Sequence, residues 1–270
     1  MSTFWPAVAG VAAFVLAQLA RPAPDPGVAG PPGGMTSFQA YDWEALVTRF
    51  ALGGGVDYAT FARVRRLLHL HLDRLSEARP GRFGSDVERM AFYLNAYNAI
   101  AVYQVLLRYP VRTIRDIPAA FTRPFPVGHE NLSLHGLHGR LRRFGDPRVH
   151  AALVPAAASA PRLRVYTAAG LQGELDAQLR EFLADRRIGL RPMPDGKGVI
   201  LNPLFRTYAG DFITPEAMPG VAHLLWAYTS PRSVLQALRP YAPAELQPLM
   251  DRPEARVAFL TYDWNLNDTA

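Results

Sequence analysis

The chain has 270 residues, 29 basic and 23 acidic side chains, a formal net charge of +6 and no cysteine. An apolar share of 49% with 19% charged residues excludes a chain disordered throughout, and the missing cysteine excludes a disulfide scaffold, a thiolate metal site, an iron–sulfur cluster and a cysteine nucleophile. The charge excess is mild and almost wholly arginine, Lys197 being the sole lysine; with no recognition motif beside it, no nucleic-acid partner is expected.

Residues 1–20 carry no charged side chain, and Trp5–Ala20 is apolar apart from Gln18. At about 16 residues the run is short for a relaxed span, which needs roughly 20. It fits a signal peptide or a short membrane anchor, with Val15-Leu16-Ala17 as a small-residue cleavage site. Export or a membrane tether through residues 5–20 is therefore expected. A start at Met35 would make the protein cytoplasmic. Arg21–Gly34 holds five prolines and four glycines, which build neither helix nor ladder; residues 21–37 read as a linker and 38–270 as one domain.

Within that domain, Phe61, Val64, Leu68, Leu72 and Leu75 recur at helical spacing. Ser85 and Glu88 form a capping box that opens a helix running to about Arg108, where Tyr109-Pro110 stops it. Gly53-Gly54-Gly55 is a turn, without the lysine of a phosphate loop. Val149–Val154 reads as a short apolar strand. Leu171, Leu175, Leu179 and Phe182 mark a further helix. Ile188–Met193 and Gly198–Leu201 flank the turn former Asp195-Gly196 and suggest a hairpin, with Arg256–Tyr262 as a third strand. Thr214-Pro215 and Ser230-Pro231 each read as an N-cap followed by a first-turn proline. The fold class expected is α+β, mainly helical, with a small antiparallel sheet.

Several segments in this order carry a resemblance. Tyr41-Asp42-Trp43, Val56-Asp57-Tyr58, Ala91–Ala99 (AFYLNAYNA), Asp146–His150 (DPRVH), Tyr166-Thr167-Ala168, Asn202–Phe212 (NPLFRTYAGDF) and Tyr262–Asn267 (YDWNLN) resemble the motifs of DUF547, a bacterial and plant domain of unknown function. The resemblance spans about 41–267. It departs at one place that matters. Where the family has a segment like NCASxSCPPL, this chain reads Val154–Leu163 (VPAAASAPRL), so both cysteine positions become Pro155 and Ala160. Ser133–Arg142 (SLHGLHGRLR) resembles a family stretch SLDDIEHGILR, with one residue deleted, and keeps its histidine as His138.

If the family's Cys, His and Asp act as a thiol-hydrolase triad, the resemblance leaves His138 as base and Asp263 as its orienter, without a nucleophile. Ser159 is adjacent to the vacated position, but a serine beside Pro161 in an alanine-rich loop is first a turn hydrogen-bonder. The preferred reading is thus a non-catalytic protein of the cell envelope that binds a small molecule or another protein. A hydrolase or transferase using His138 and Asp263 with Ser159 or a metal-bound water is the alternative.

Other polar residues are weighed alongside. His129, His135 and His138 fall within ten residues, with Gly136 and Gly139 suggesting a flexible turn, and are weak metal candidates; their spacing is too loose to expect a metal, and no cofactor is expected. Asn95 and Asn98 lie one turn apart in an apolar helix and must find partners, as a structural network or as a polar cleft lining. Asp211 sits among Phe205, Tyr208 and Phe212. It stands as a binding candidate with His150 and Arg142, the last within a basic cluster of Arg140, Arg142, Arg143 and Arg148.

Overall fold

A computed structural model describes residues 38–212 and 232–269. The expectations for residues 1–37, Thr214-Pro215 and Ser230-Pro231 lie outside them. The axis of the fold is the helix opened at Ser85. Ser85 Oγ accepts from Glu88 N at 3.1 Å, and the Glu88 carboxylate accepts from Gly84 N at 3.1 Å, so the box caps one residue further out than its simplest form. The helix runs Asp86–Leu106 and is buried on every side from Met90 to Val102, as an apolar sequence without a polar face requires.

Around it pack helices α1 (Tyr41–Phe50), α2 (Tyr58–Arg63), α3 (Arg65–Glu77) and α5 (Leu134–Arg142), the central helix itself being α4. The periodicity expected from Phe61 to Leu75 is broken at Val64, whose φ of −118° and ψ of 20° separate α2 from α3. Two short antiparallel pairs, β1–β2 (Ala51–Leu52, Gly55–Val56) and β3–β4 (Phe125–Val127, Glu130–Leu132), close the neighbouring turns.

A second, smaller core forms on α7 (Leu171–Ala184) and a three-stranded sheet of β5 (Leu190–Pro192), β6 (Gly198–Leu201) and β7 (Arg256–Phe259). The hairpin expected at Asp195-Gly196 is present: Gly196 takes a φ of +66° and Asp195 Oδ1 accepts from Lys197 N. The pairing of β6 with β7 is parallel, from Gly198↔Arg256 to Leu201↔Phe259, so the sheet is mixed rather than wholly antiparallel.

The expected strand Val149–Val154 is corrected. Val149–Ala152 is a helical turn, α6, whose N–H groups bond back to the carbonyls of Asp146, Pro147 and Arg148. A short apolar run has no period by which strand and helix can be separated. The flexible turn expected at Gly136 and Gly139 is likewise helix, inside α5; Ser133 caps it by accepting from Gly136 N at 3.1 Å, and Leu134, Leu137 and Leu141 bury its inner face.

The segment 262–269 crosses the first core without joining the sheet. Val56 N donates to Asn267 O at 2.8 Å, Ala158 N to Asn265 O at 2.7 Å, Leu266 N to Arg112 O at 2.8 Å, and Thr269 N to Val56 O at 3.2 Å. The buried Tyr58 hydroxyl donates to Asn267 Oδ1 at 3.0 Å. Gly55 is required here, because a Cβ at that position would stand 2.5 Å from Asn267 O. Among the described residues no helix is long and apolar enough to cross a membrane.

Candidate functional site

Four of the candidate residues converge. His138 and Arg142 are four apart on α5 and so share a face. His150 stands on α6, and Asp211 on the 3-10 turn Ala209–Phe212, which continues α8 (Leu204–Thr207). Arg142 grips Asp211 with two parallel bonds, Nε to Oδ2 at 2.7 Å and Nη2 to Oδ1 at 2.8 Å. His150 Nε2 lies 2.8 Å from Asp211 Oδ2, and His138 Nε2 lies 3.0 Å from His150 Nδ1.

This chain fixes its own tautomers. A carboxylate only accepts, so His150 carries its proton on Nε2. Its Nδ1 is then the acceptor, His138 carries its proton on Nε2, and His138 Nδ1 is left as a free lone pair. Tyr208 stacks on the His150 ring at 4.1 Å and 7°, and meets the His138 ring edge-on at 4.9 Å.

Burial and the neighbouring His150 and Arg142 pull His138 down to about 3, so the imidazole is neutral at ordinary pH. His150 is also lowered, burial outweighing the pull of Asp211. Burial would raise the Asp211 carboxyl, but the hydrogen bonds from Arg142 and His150 outweigh it and hold the group well below the usual carboxylate range. The result is a neutral histidine pair on a charged, matched Arg–Asp base.

His138 and His150 form part of the wall of a cleft of about 530 Å3, shared with Tyr97, Tyr208, Tyr262 and Trp264. Pro155 is also in that wall, so one of the two replaced positions lines the same cleft as the histidines, and the other, Ala160, is buried and does not line it. Ala156, next to Pro155, holds a φ of +52°, the left-handed region that a non-glycine residue rarely occupies.

The other candidates are elsewhere. Asp263 lines an adjoining open groove with Arg112, Thr113 and Asp116; its Oδ1 accepts from Asn265 N at 2.9 Å. Ser159 Oγ accepts from Asp263 N at 2.9 Å. Neither is bonded to His138, so the pairing of His138 with Asp263 expected from the family pattern is replaced in the structure by His138–His150–Asp211. Asn95 and Asn98 clamp backbone: Asn95 Nδ2 donates to Tyr166 O at 2.7 Å and its Oδ1 accepts from Tyr166 N at 3.0 Å, while Asn98 spans Ala152 O at 3.0 Å and Val154 N at 2.9 Å.

His129 Nε2 lies 3.3 Å from Glu77 O, and His135 stacks on Phe121 at 5.5 Å. Among the described residues no three His, Asp or Glu side chains stand so as to hold a metal ion. Of the basic cluster, Arg140 binds Glu130 with both terminal nitrogens, at 2.6 and 2.7 Å, and Arg148 binds Asp146.

In sequence, Tyr208, Tyr262 and Trp264 stand as neighbours of Asp211 and Asp263, and nothing there joins them with Tyr97 into one wall. Their individual signal was present, since Tyr97, Tyr208, Tyr262 and Trp264 are embedded in the quoted motifs between the polar residues that drew attention. Arg115 and Phe121 gave none.

Residues 82–183 match the model of a family described as a protein of unknown function, DUF547. The matched stretch is narrower than the 41–267 over which the motifs resemble the family, and it includes His138, Arg142, His150 and the replaced positions 155 and 160. No curated protein matches the chain, and no solved structure does.

Proposed function

Starting from a chain that is a member of the DUF547 domain family, we propose that its cleft holds a ligand non-covalently, in the cell envelope, without turning it over. One observation carries the reading: Pro155, at a position where the motif the chain resembles has cysteine, lines the same cleft as His138 and His150. A pyrrolidine ring offers neither nucleophile nor proton. Ser159, the hydroxyl closest in sequence to the vacated positions, already accepts from Asp263 N. His138 at about 3 is a weak base but a ready acceptor for a ligand N–H or O–H. The apolar run at residues 5–20 supports the location.

A second reading draws on the relay itself. A hydrolase or transferase would use His138 Nδ1, oriented through His150 and Asp211, to activate a water. The test is profiling of the purified protein against ester, amide and thioester substrates beside a His138→Ala variant. We expect no turnover by either. Turnover by the native protein that falls about 100-fold or more in the variant would replace the first reading by the second. Fractionation with sequencing of the mature N-terminus checks the location: recovery in the cytoplasmic pool with an N-terminus at Met35 would overturn it.

A further inference from the structure

The composition of the cleft wall says more about the ligand than that it binds. Aromatic rings dominate the wall, and among the residues lining it there is no carboxylate. The nearest acid of the relay, Asp211, is already matched by Arg142 and His150. One full positive charge does line the cleft: Arg115, exposed on the 3-10 turn Ile114–Asp116. It also lines the open groove of Arg112 and Asp263, so it stands where the two depressions meet, with Tyr262 and Trp264 common to both.

Arg115 differs from three arginines of the α5–α6 region. Arg140, Arg142 and Arg148 each grip a carboxylate. The Arg115 guanidinium has no carboxylate or carbonyl partner among the described residues. Its Cζ lies over the Trp264 ring, 5.3 Å from the centroid. A cation–π contact uses no N–H donor of the guanidinium in a conventional hydrogen bond, so those donors remain for a ligand. The ring contact also restrains a side chain that would otherwise lose entropy on binding, so part of the ordering cost is met before the ligand arrives.

Resting on the reading of the cleft as a ligand site, we infer that the ligand is an amphiphilic anion, its flat apolar body among Tyr208, Tyr262 and Trp264 and its carboxylate, sulfonate or phosphate group on Arg115. A guanidinium fork suits such oxyanions; the cleft wall itself holds no acid, while Asp116 and Asp263 line the adjoining groove beside Arg112.

Two fluorescent probes of similar shape separate the parts of this inference: anilinonaphthalene sulfonate, which is anionic, and N-phenylnaphthylamine, which is neutral. Titration of the full chain should give tighter binding of the anion. Arg115→Gln should weaken the anion about tenfold and leave the neutral probe unchanged, as expected for loss of one charge-assisted contact. Arg115→Lys should recover part of the loss. Thr207→Trp, on the cleft wall, should weaken both probes. If Arg115→Gln binds the anion as well as the native protein while Thr207→Trp loses both probes, the anion inference is overturned and the ligand cleft stands. If neither probe binds, or Thr207→Trp leaves both unchanged, the ligand cleft fails and the inference with it.

Discussion

His71 is fully buried, and neither ring nitrogen has a hydrogen-bond partner among the described residues. It stacks on Trp43 at 5.9 Å and touches the edge of Phe38 at 5.7 Å. Burial, aided by Arg74 and opposed by Asp42, lowers it from 6.5 to about 4. The unfolded chain therefore takes up a proton near pH 6.5 that the native state refuses until about 4. Stability is fully present above that window and is lost as pH falls through it. Between pH 7 and 5 this one histidine should cost about 2 kcal/mol. His138 and His150 are shifted the same way and add to the slope. Urea unfolding of His71→Phe, which keeps the ring stack, should lose about 2 kcal/mol less than the native protein over that interval; parallel losses in the two proteins would rule this account out. The sequence groups His138 with His129 and His135 rather than with His150. His138 and His150 are 12 positions apart, and only the packing of α5 against the segment carrying α6 makes them partners.

Element by element, α4 is a helix that holds two loops by its amides. Asn98 supplies one donor and one acceptor to the backbone of Ala152 and Val154, and Asn95 does the same to Tyr166. Each amide acts as a one-residue strand edge, which is why the extended backbone after α6 needs no sheet. It also sets the position of Leu153 and Pro155 in the cleft wall. Asn98→Leu keeps the branching and heavy-atom count of the side chain but leaves the Val154 N–H and Ala152 carbonyl without these partners in the core. It should lower unfolding stability by about 2–4 kcal/mol, measured by urea denaturation; a loss below about 0.5 kcal/mol would show that the clamp contributes nothing. The helix itself was legible from its capping box and its apolar run. Its two asparagines were legible as buried groups in need of partners, but what they hold was not, since α6 and its extended exit read as a single apolar strand. The parallel pairing of β6 with β7 was equally hidden, because periodicity reports which face of a strand is buried and says nothing of the direction of its neighbour.

For the molecule as a whole, the segment 262–269 ties distant parts of the chain together. It bonds to Val56, Tyr58, Arg112, Ala156 and Ala158, and it delivers Tyr262 and Trp264 to the cleft. The link between Tyr58 and Asn267 spans 209 residues. Asn267→Ala leaves the buried Tyr58 hydroxyl without that acceptor and should cost about 1–3 kcal/mol. Adding Tyr58→Phe removes the stranded group and should recover part of the loss in urea unfolding, because an unpaired buried polar group costs more than the absence of both partners; a double variant less stable than the single one would refute the pairing. The fold class was readable from the mix of helical periods and one turn-forming pair. The closure by 262–269 was not, because its six-residue motif YDWNLN carries no periodicity and most of its partners are backbone atoms far away in the chain. There is also a consequence in time. A ribosome makes Val56 and Tyr58 some two hundred residues before Asn267, and until the last of these emerges the cleft lacks two of its aromatic walls. The nascent protein can have its central helix complete while this wall is still open, so the cleft takes its full shape only with the arrival of Tyr262 and Trp264.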